Sequence, residues 1–311
     1  MPKVEGKKEK PQGRWSSRSV GRPWQHRFFY LLIRFGGRRA AYFFLYFVVG
    51  YYILCRPDQR RKAHFYLRRR FPDVTPGELL VHDFRMFLSL GRVLIDRAAV
   101  GILGPQAVTF TITGKEELLA LVAEHKGLIL MTAHVGCWQG AMSALAFLHL
   151  PVALLMQREE GDIDRHFFEH GGIASPYRII DPRGFLGGSL EMLEVLKRGE
   201  VLSMMGDRFQ GSDRNVTTVK FLGGNIRLPF AAYKLASVTG APIGVLVSAK
   251  TGPDAYRIFL AGVIRVPPGL GREKEAFSLY AARFAQILED YVQEYPYQFF
   301  NFYDLWEAEI G

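Results

Sequence analysis

Apolar positions along this chain follow two different rhythms, and the change falls near residue 107. Before it, long apolar stretches predict helices: Trp24 to Phe35 and Ala40 to Cys55 as a helical hairpin, then a basic helix over residues 58–70. Thr75 to Val100 predicts a further helix, with Pro76 in its first turn and Phe84, Phe87, Leu88, Val93 and Leu94 supplying its apolar side. Beyond residue 107 short apolar runs alternate with amphipathic ones. Val108–Ile112, Leu128–Met131, Val152–Met156, Arg178–Ile180, Val201–Met205, Val216–Leu222, Pro242–Ala249 and Tyr256–Val266 predict strands or extended segments. Between them Trp138–Leu148, Arg165–His170, Gly188–Lys197, Phe230–Val238 and Glu273–Glu294 predict helices, and Pro229 is expected in the first turn of its helix. Strands and helices in alternation imply an α/β fold: a single layered domain with a mostly parallel central sheet flanked by helices. An N-terminal membrane-associated helical segment precedes it. The divisions expected are a disordered basic arm over residues 1–22, a helical, membrane-associated region over 23–105, and the α/β domain over 106–311.

Charge sharpens the picture of the N-terminal part. Residues 1–70 hold 18 Lys and Arg against Glu5, Glu9 and Asp58, a net +15, which leaves −5 for the rest of the chain. These basic residues flank Ala40 to Cys55, sixteen residues without a charge. As a helix that segment is about 24 Å long, short of the roughly 30 Å hydrocarbon core of a bilayer. It is therefore expected to be embedded or interfacial rather than spanning, with Arg and Lys reaching to headgroups. A buried core helix is the alternative. The segment lies too far from the start, and lacks the small-residue cleavage site, for a signal peptide. A nucleic-acid partner is not expected, because neither a zinc-finger nor an RNP-type motif accompanies the basic charge.

The two cysteines, Cys55 and Cys137, exclude a disulfide framework and a cysteine-rich zinc site. With neither G-x-G-x-x-G nor GK[ST] after a strand, and neither H-E-x-x-H nor H-x-x-E-H, no cofactor and no metal are expected.

The richest stretch for chemistry is Met131-Thr-Ala-His134-Val-Gly136-Cys-Trp138-Gln139. It carries a histidine at the exit of an apolar strand, where α/β sheets gather their sites. Histidine is the natural general base near neutral pH, and it works best when another group fixes its tautomer. Gln139 returns to the same side one helical turn on, but offers an amide oxygen in place of a carboxylate. Cys137 is either a nucleophile or a small packing residue. Two other strand exits carry charge. Arg158 is an anion clamp or a local partner of Glu159 and Glu160. Asp207 and Arg208 either orient a substrate or pair with each other, and Asp207 is also a candidate for the acid that Gln139 cannot be. Lys220, in Lys220-Phe-Leu-Gly-Gly224, offers a further cation beside a flexible turn.

Taken in order, these blocks resemble the bacterial late acyltransferases of lipid A biosynthesis, within the lysophospholipid acyltransferase superfamily. The first motif of that family, H-x-G-x-W-[ED], is similar to His134-Val-Gly136-Cys-Trp138-Gln139. A later block resembles Asp207 to Gly211 and Val219-Lys220-Phe221-Leu-Gly223, and a helix ending T-G-A-P resembles Phe230 to Pro242. Arg60 to Phe71 and Tyr295 to Asp304 are similar in kind to segments of relatives, so that the resemblance covers roughly residues 28–306. It implies a membrane-associated O-acyltransferase at the cytoplasmic face of a bacterial inner membrane. The donor would be an acyl thioester on acyl carrier protein or coenzyme A, and the acceptor a hydroxyl of a lipid A-type or other glycolipid. By the same resemblance His134 is the general base, Gln139 holds the place of the orienting acid, and Arg158, Asp207, Arg208 and Lys220 bind substrate. The amide at Gln139 leaves a second reading open, a lipid- or acyl-binding protein without catalysis on the same fold.

Overall fold

A computed structural model of the chain describes residues 23–157, 177–208, 215–271 and 273–306. The expected basic arm, Arg158, the helix over 165–170 and part of the block after Arg208 lie outside the described residues.

Three helices form the N-terminal region: α1 (Pro23–Cys55), α2 (Pro57–Arg70) and α3 (Pro76–Leu103). Gly37 breaks α1 with φ 70° and ψ −179°, outside the helical region. There α1 folds back on itself, which brings the rings of Phe28 and Phe44 to 5.5 Å between centroids. In an unbroken helix, sixteen positions would hold them about 24 Å apart. The inner side of the hairpin, Ile33, Ala41, Leu45 and Val49, packs on Leu88, Ile95 and Ala99 of α3. Thr75 and Glu78 start α3 with a reciprocal capping box, and Pro76 occupies its first turn. His64 of α2 meets buried Asp83 of α3 at 2.9 Å.

The remainder comprises β1 (Thr109–Thr113), α4 (Lys115–Val122), β2 (Leu128–Thr132), α5 (Trp138–Ser143), β3 (Val152–Leu155), β4 (Arg178–Ile180), α6 (Ser189–Lys197) and β5 (Val201–Met205). Then follow β6 (Val216–Phe221), β7 (Gly224–Pro229), α7 (Ala231–Thr239), β8 (Ile243–Lys250), β9 (Ala255–Ile264) and α8 (Ser278–Glu294). Seven strands form one sheet in the order β1-β9-β8-β2-β5-β3-β4, and β6 with β7 forms a separate hairpin. Within the seven-stranded sheet, β8–β9 is the antiparallel pair and the other neighbours are parallel. Strand β2 shows why both faces are covered. Ile129 and Met131 belong to the core beneath α6, α7 and α8, whereas Leu128 and Leu130 belong to the core beneath α4.

Several boundaries differ from the sequence expectation. Pro229 ends β7 opposite Val216 instead of opening a helix, and α7 begins at Ala231. As the last residue of its strand, Pro229 tolerates its missing N–H. The helix expected from Trp138 to Leu148 changes to a 3₁₀ turn after Ser143, and the one expected from Glu273 starts as a 3₁₀ turn before Ser278. Strand β7 and helix α4 were not anticipated: Gly224-Asn-Ile-Arg-Leu-Pro229 has the period-2 pattern but begins at a glycine pair, and α4 is only eight residues long.

Candidate active site

Strands β2 and β5 are parallel neighbours, with Thr132 opposite Met205, so both chains leave the sheet at the same edge. The Gly206 N–H donates to the Thr132 carbonyl at 2.8 Å, carrying the pairing one residue past the strand ends. The next side chains out are His134 and Asp207. His134 Nδ1 lies 3.0 Å from both carboxylate oxygens of Asp207, and the His134 backbone N–H donates to Asp207 Oδ2 at 3.1 Å. A carboxylate only accepts, so this contact assigns the proton to Nδ1 and makes Nε2 the unprotonated nitrogen of the neutral ring.

The turn that follows demands a glycine. Gly136 has φ 50°, and a Cβ there would stand 2.0 Å from the Ser248 carbonyl oxygen. The loop is braced by the C-terminal segment, which runs antiparallel to it. The Gly136 N–H donates to the Gln298 carbonyl at 3.0 Å, and the Phe300 N–H donates to the His134 carbonyl at 2.8 Å. This segment also brings in a residue that sequence reasoning missed. Asn301 is fully buried and its Nδ2 donates to Asp207 Oδ2 at 2.9 Å. Arg208 fixes the amide the other way round, donating from Nε to Asn301 Oδ1 and from Nη2 to the Phe300 carbonyl. The signal available in sequence was a lone amide within Phe-Phe-Asn-Phe-Tyr, a run otherwise suited to packing.

Burial sets the charge states. The His134 side chain is 13% exposed. Burial pushes its pKa below the usual histidine value, Asp207 opposes the shift and Arg208 adds to it. For Asp207 burial alone would raise the pKa. The charge and hydrogen bond of His134, with Arg208 and Asn301, outweigh it and hold the carboxyl well below the carboxylate range. The centre is therefore a neutral imidazole on an ionised carboxylate, ready to take a proton.

The structure assigns the other sequence candidates different surroundings. Gln139, in the first turn of α5, does not supply the ring's Nδ1 partner, which is Asp207. Its Oε1 accepts from Arg97 Nη1 of α3 at 2.9 Å. Cys137 is buried, and burial pushes its thiol up to about 11, which disfavours the thiolate a nucleophile needs. Trp138 packs its ring 5.3 Å from that of His134. Lys220 is exposed on β6, on the side opposite buried Val219 and Phe221, and has no hydrogen bond or ion pair to His134, Asp207 or Arg208 among the described residues. Among the described residues no group of three or more His, Cys, Asp or Glu is placed to hold a metal ion.

The arrangement of a strand-exit histidine before Gly136 and Trp138, with an acid from the adjacent strand, occurs within a chain that matches the family model for bacterial lipid A biosynthesis acyltransferases over residues 10–308. The chain belongs to this family. Compared with curated proteins one by one, it has no significant match. His134, Asp207 and Asn301 all fall within the matched span.

Proposed function

We propose that the protein transfers a fatty acyl chain from a thioester, carried on acyl carrier protein or coenzyme A, to a hydroxyl of a lipid A-type or other glycolipid. The work takes place at the cytoplasmic face of the inner membrane. The observation that carries this reading is the His134 Nδ1 contact with Asp207 at 3.0 Å. His134 Nε2 takes the proton of the acceptor hydroxyl as its oxygen attacks the thioester carbonyl carbon. Asp207 stays ionised and stabilises the imidazolium so formed. Collapse of the tetrahedral intermediate breaks the C–S bond, and the departing sulfur takes the proton from Nε2. The products are an ester and a free thiol. The thioester brings its own activation, so the reaction needs no nucleotide or metal. Arg158 and Lys220 are assigned to anionic groups of the substrates, while Arg208 works through Asn301.

Purified protein supplied with acyl carrier protein thioester and glycolipid acceptors should form ester, and His134→Ala should abolish it. Undiminished transfer by His134→Ala would overturn the mechanism. Gln139, where the family carries a carboxylate, favours one competing reading, a lipid- or acyl-binding protein without turnover. That reading predicts that wild-type protein binds acyl donor and releases no thiol in the same assay.

A further inference from the structure

The hairpin of α1 shows two faces, and among the described residues the inner one packs on α3 while the outer one carries a run of exposed apolar side chains. On the outside of the first limb Trp24, Phe28, Leu31 and Phe35 recur at steps of four, three and four, one stripe of a helix. On the second limb Phe43, Phe47, Tyr51 and Leu54 form a similar stripe, at steps of four, four and three. Phe35 and Leu54 are each 82% exposed, far beyond what scattered surface apolar residues require. Phe28 of the first stripe meets Phe44, whose ring in turn lies 5.5 Å from that of Phe43 in the second, so the two stripes adjoin. Between Pro23 and Cys55 there is no acidic residue, and Arg27, Arg34 and Arg39 stand exposed along the same hairpin. An apolar face rimmed by cations fits an anionic lipid surface better than it fits a protein.

How the hairpin is held decides its attitude. At the turn, Arg38 pairs with Asp96 at 3.4 Å and with Asp254 at 3.7 Å, and the Tyr42 hydroxyl donates to Asp96 at 2.5 Å. Asp96 also accepts from Lys250 of β8 at 2.6 Å and Tyr256 of β9 at 2.7 Å, so the turn is locked to the α/β domain. At the other end of the second limb the chain bends by 91° into α2. Helix α2 is fastened in turn to the C-terminal part of the α/β domain: Arg70 donates to the Val292 carbonyl at 2.9 Å and Tyr66 to the Pro296 carbonyl at 2.8 Å. A limb pinned to the body at both ends, and along its length by Leu45 against Gly91, is not oriented to cross a bilayer. No single helix among the described residues is long and apolar enough to do so; α1 and α2 together have the length and composition, but they meet at 91°.

We infer that the α1 hairpin lies flat in one leaflet, its two exposed stripes sunk side by side to the same depth, and that the α/β domain rides on it. This rests on the proposed membrane association and adds its geometry. The test uses the full chain with Cys55→Ser and single fluorophore-labelled cysteines at Leu31, Phe47 and Leu54, bound to phosphatidylethanolamine–phosphatidylglycerol vesicles carrying quenchers at known depths. All three labels should report one shallow depth. Cysteines at Trp24 and at Leu54 should react equally with an impermeant maleimide added outside. A graded depth along a limb, or protection of one end, would mean a spanning helix and overturn the inference, as would absence of vesicle binding. Replacing Phe35, Phe47 and Leu54 by serine should lower vesicle partitioning by roughly tenfold or more per residue removed, with the melting temperature reporting an intact fold. Acyl transfer to a detergent-dispersed acceptor, measured beside these, depends on the His134–Asp207 centre and not on the exposed stripes, so loss of the geometry and loss of the chemistry read out separately.

Discussion

His134 and Asp207 are 73 positions apart in the chain and meet twice, through the ring and through the His134 backbone N–H. The double contact fixes both the tautomer of the imidazole and the direction in which the loop leaves β2.

Asp207→Asn should reduce kcat by about 10³- to 10⁴-fold while leaving the fold intact, because an amide can accept from Nδ1–H but cannot stabilise the imidazolium. Steady-state kinetics on the purified variant decide the matter. Activity within an order of magnitude of wild type would remove Asp207 from the mechanism.

Gln139→Glu should change kcat by less than about tenfold, since Nδ1 already has its carboxylate and the new acid has Arg97 as its neighbour at the site where Gln139 Oε1 now accepts at 2.9 Å. A large gain of turnover would instead place the orienting acid at position 139.

The pH dependence should show an acidic limb lying below the ordinary histidine range, with kcat/KM flat through neutrality. The base acts when neutral, and burial lowers the pKa of His134. Asp207→Asn removes the charge that opposes this shift and should move the limb lower still. Both His134 and Asp207 have folded pKa values below their unfolded ones. Each therefore stabilises the fold fully above its unfolded value and loses that contribution on acidification, His134 as pH drops below about 6.5 and Asp207 below about 3.9. Thermal melts from neutral to mildly acidic pH should descend accordingly.

Asn301→Ala should cost about 5- to 100-fold in kcat with little change in KM, the price of leaving buried Asp207 and Arg208 each short of a partner. Asn301→Asp separates orientation from packing. It keeps the shape but adds a negative charge beside Asp207, which raises the pKa of His134, so the acidic limb should move up in pH. A purely structural role would leave the limb in place.

Asp96→Ala should destabilise the protein by about 3–5 kcal/mol, because it strands Lys250 and Arg38 without their buried counter-charge. Denaturant unfolding measures this, and a loss under about 1 kcal/mol would contradict the clasp drawn between the hairpin and the sheet.

Much of the architecture was legible because period and punctuation agree. Val201–Met205 and Leu128–Met131 are short apolar runs that sit in the middle of the sheet, and the Gly36-Gly37 pair marks the break in α1. What local pattern could not carry was contact across the chain. The β6–β7 hairpin was half seen, because Pro229 signals both a helix start and a strand end. For the site, the strand exit at His134 and the charged pair at Asp207-Arg208 were visible, but their meeting depends on β2 and β5 being neighbours, which follows from sheet order alone. Gln139 drew attention by spacing, yet Arg97, 42 positions earlier, takes its oxygen. Asn301 was hidden among aromatic residues, where its buried amide has no periodic signature.

The antiparallel brace between residues 298–301 and the His134 loop has a consequence for biogenesis. A chain still being synthesised, with β2 and β5 already paired, holds its histidine and its acid but lacks the strip that seats them. The setting of His134 and Asp207 is thus completed by a segment 94 positions beyond Asp207, so a chain that has emerged only as far as Arg208 holds both groups without their brace.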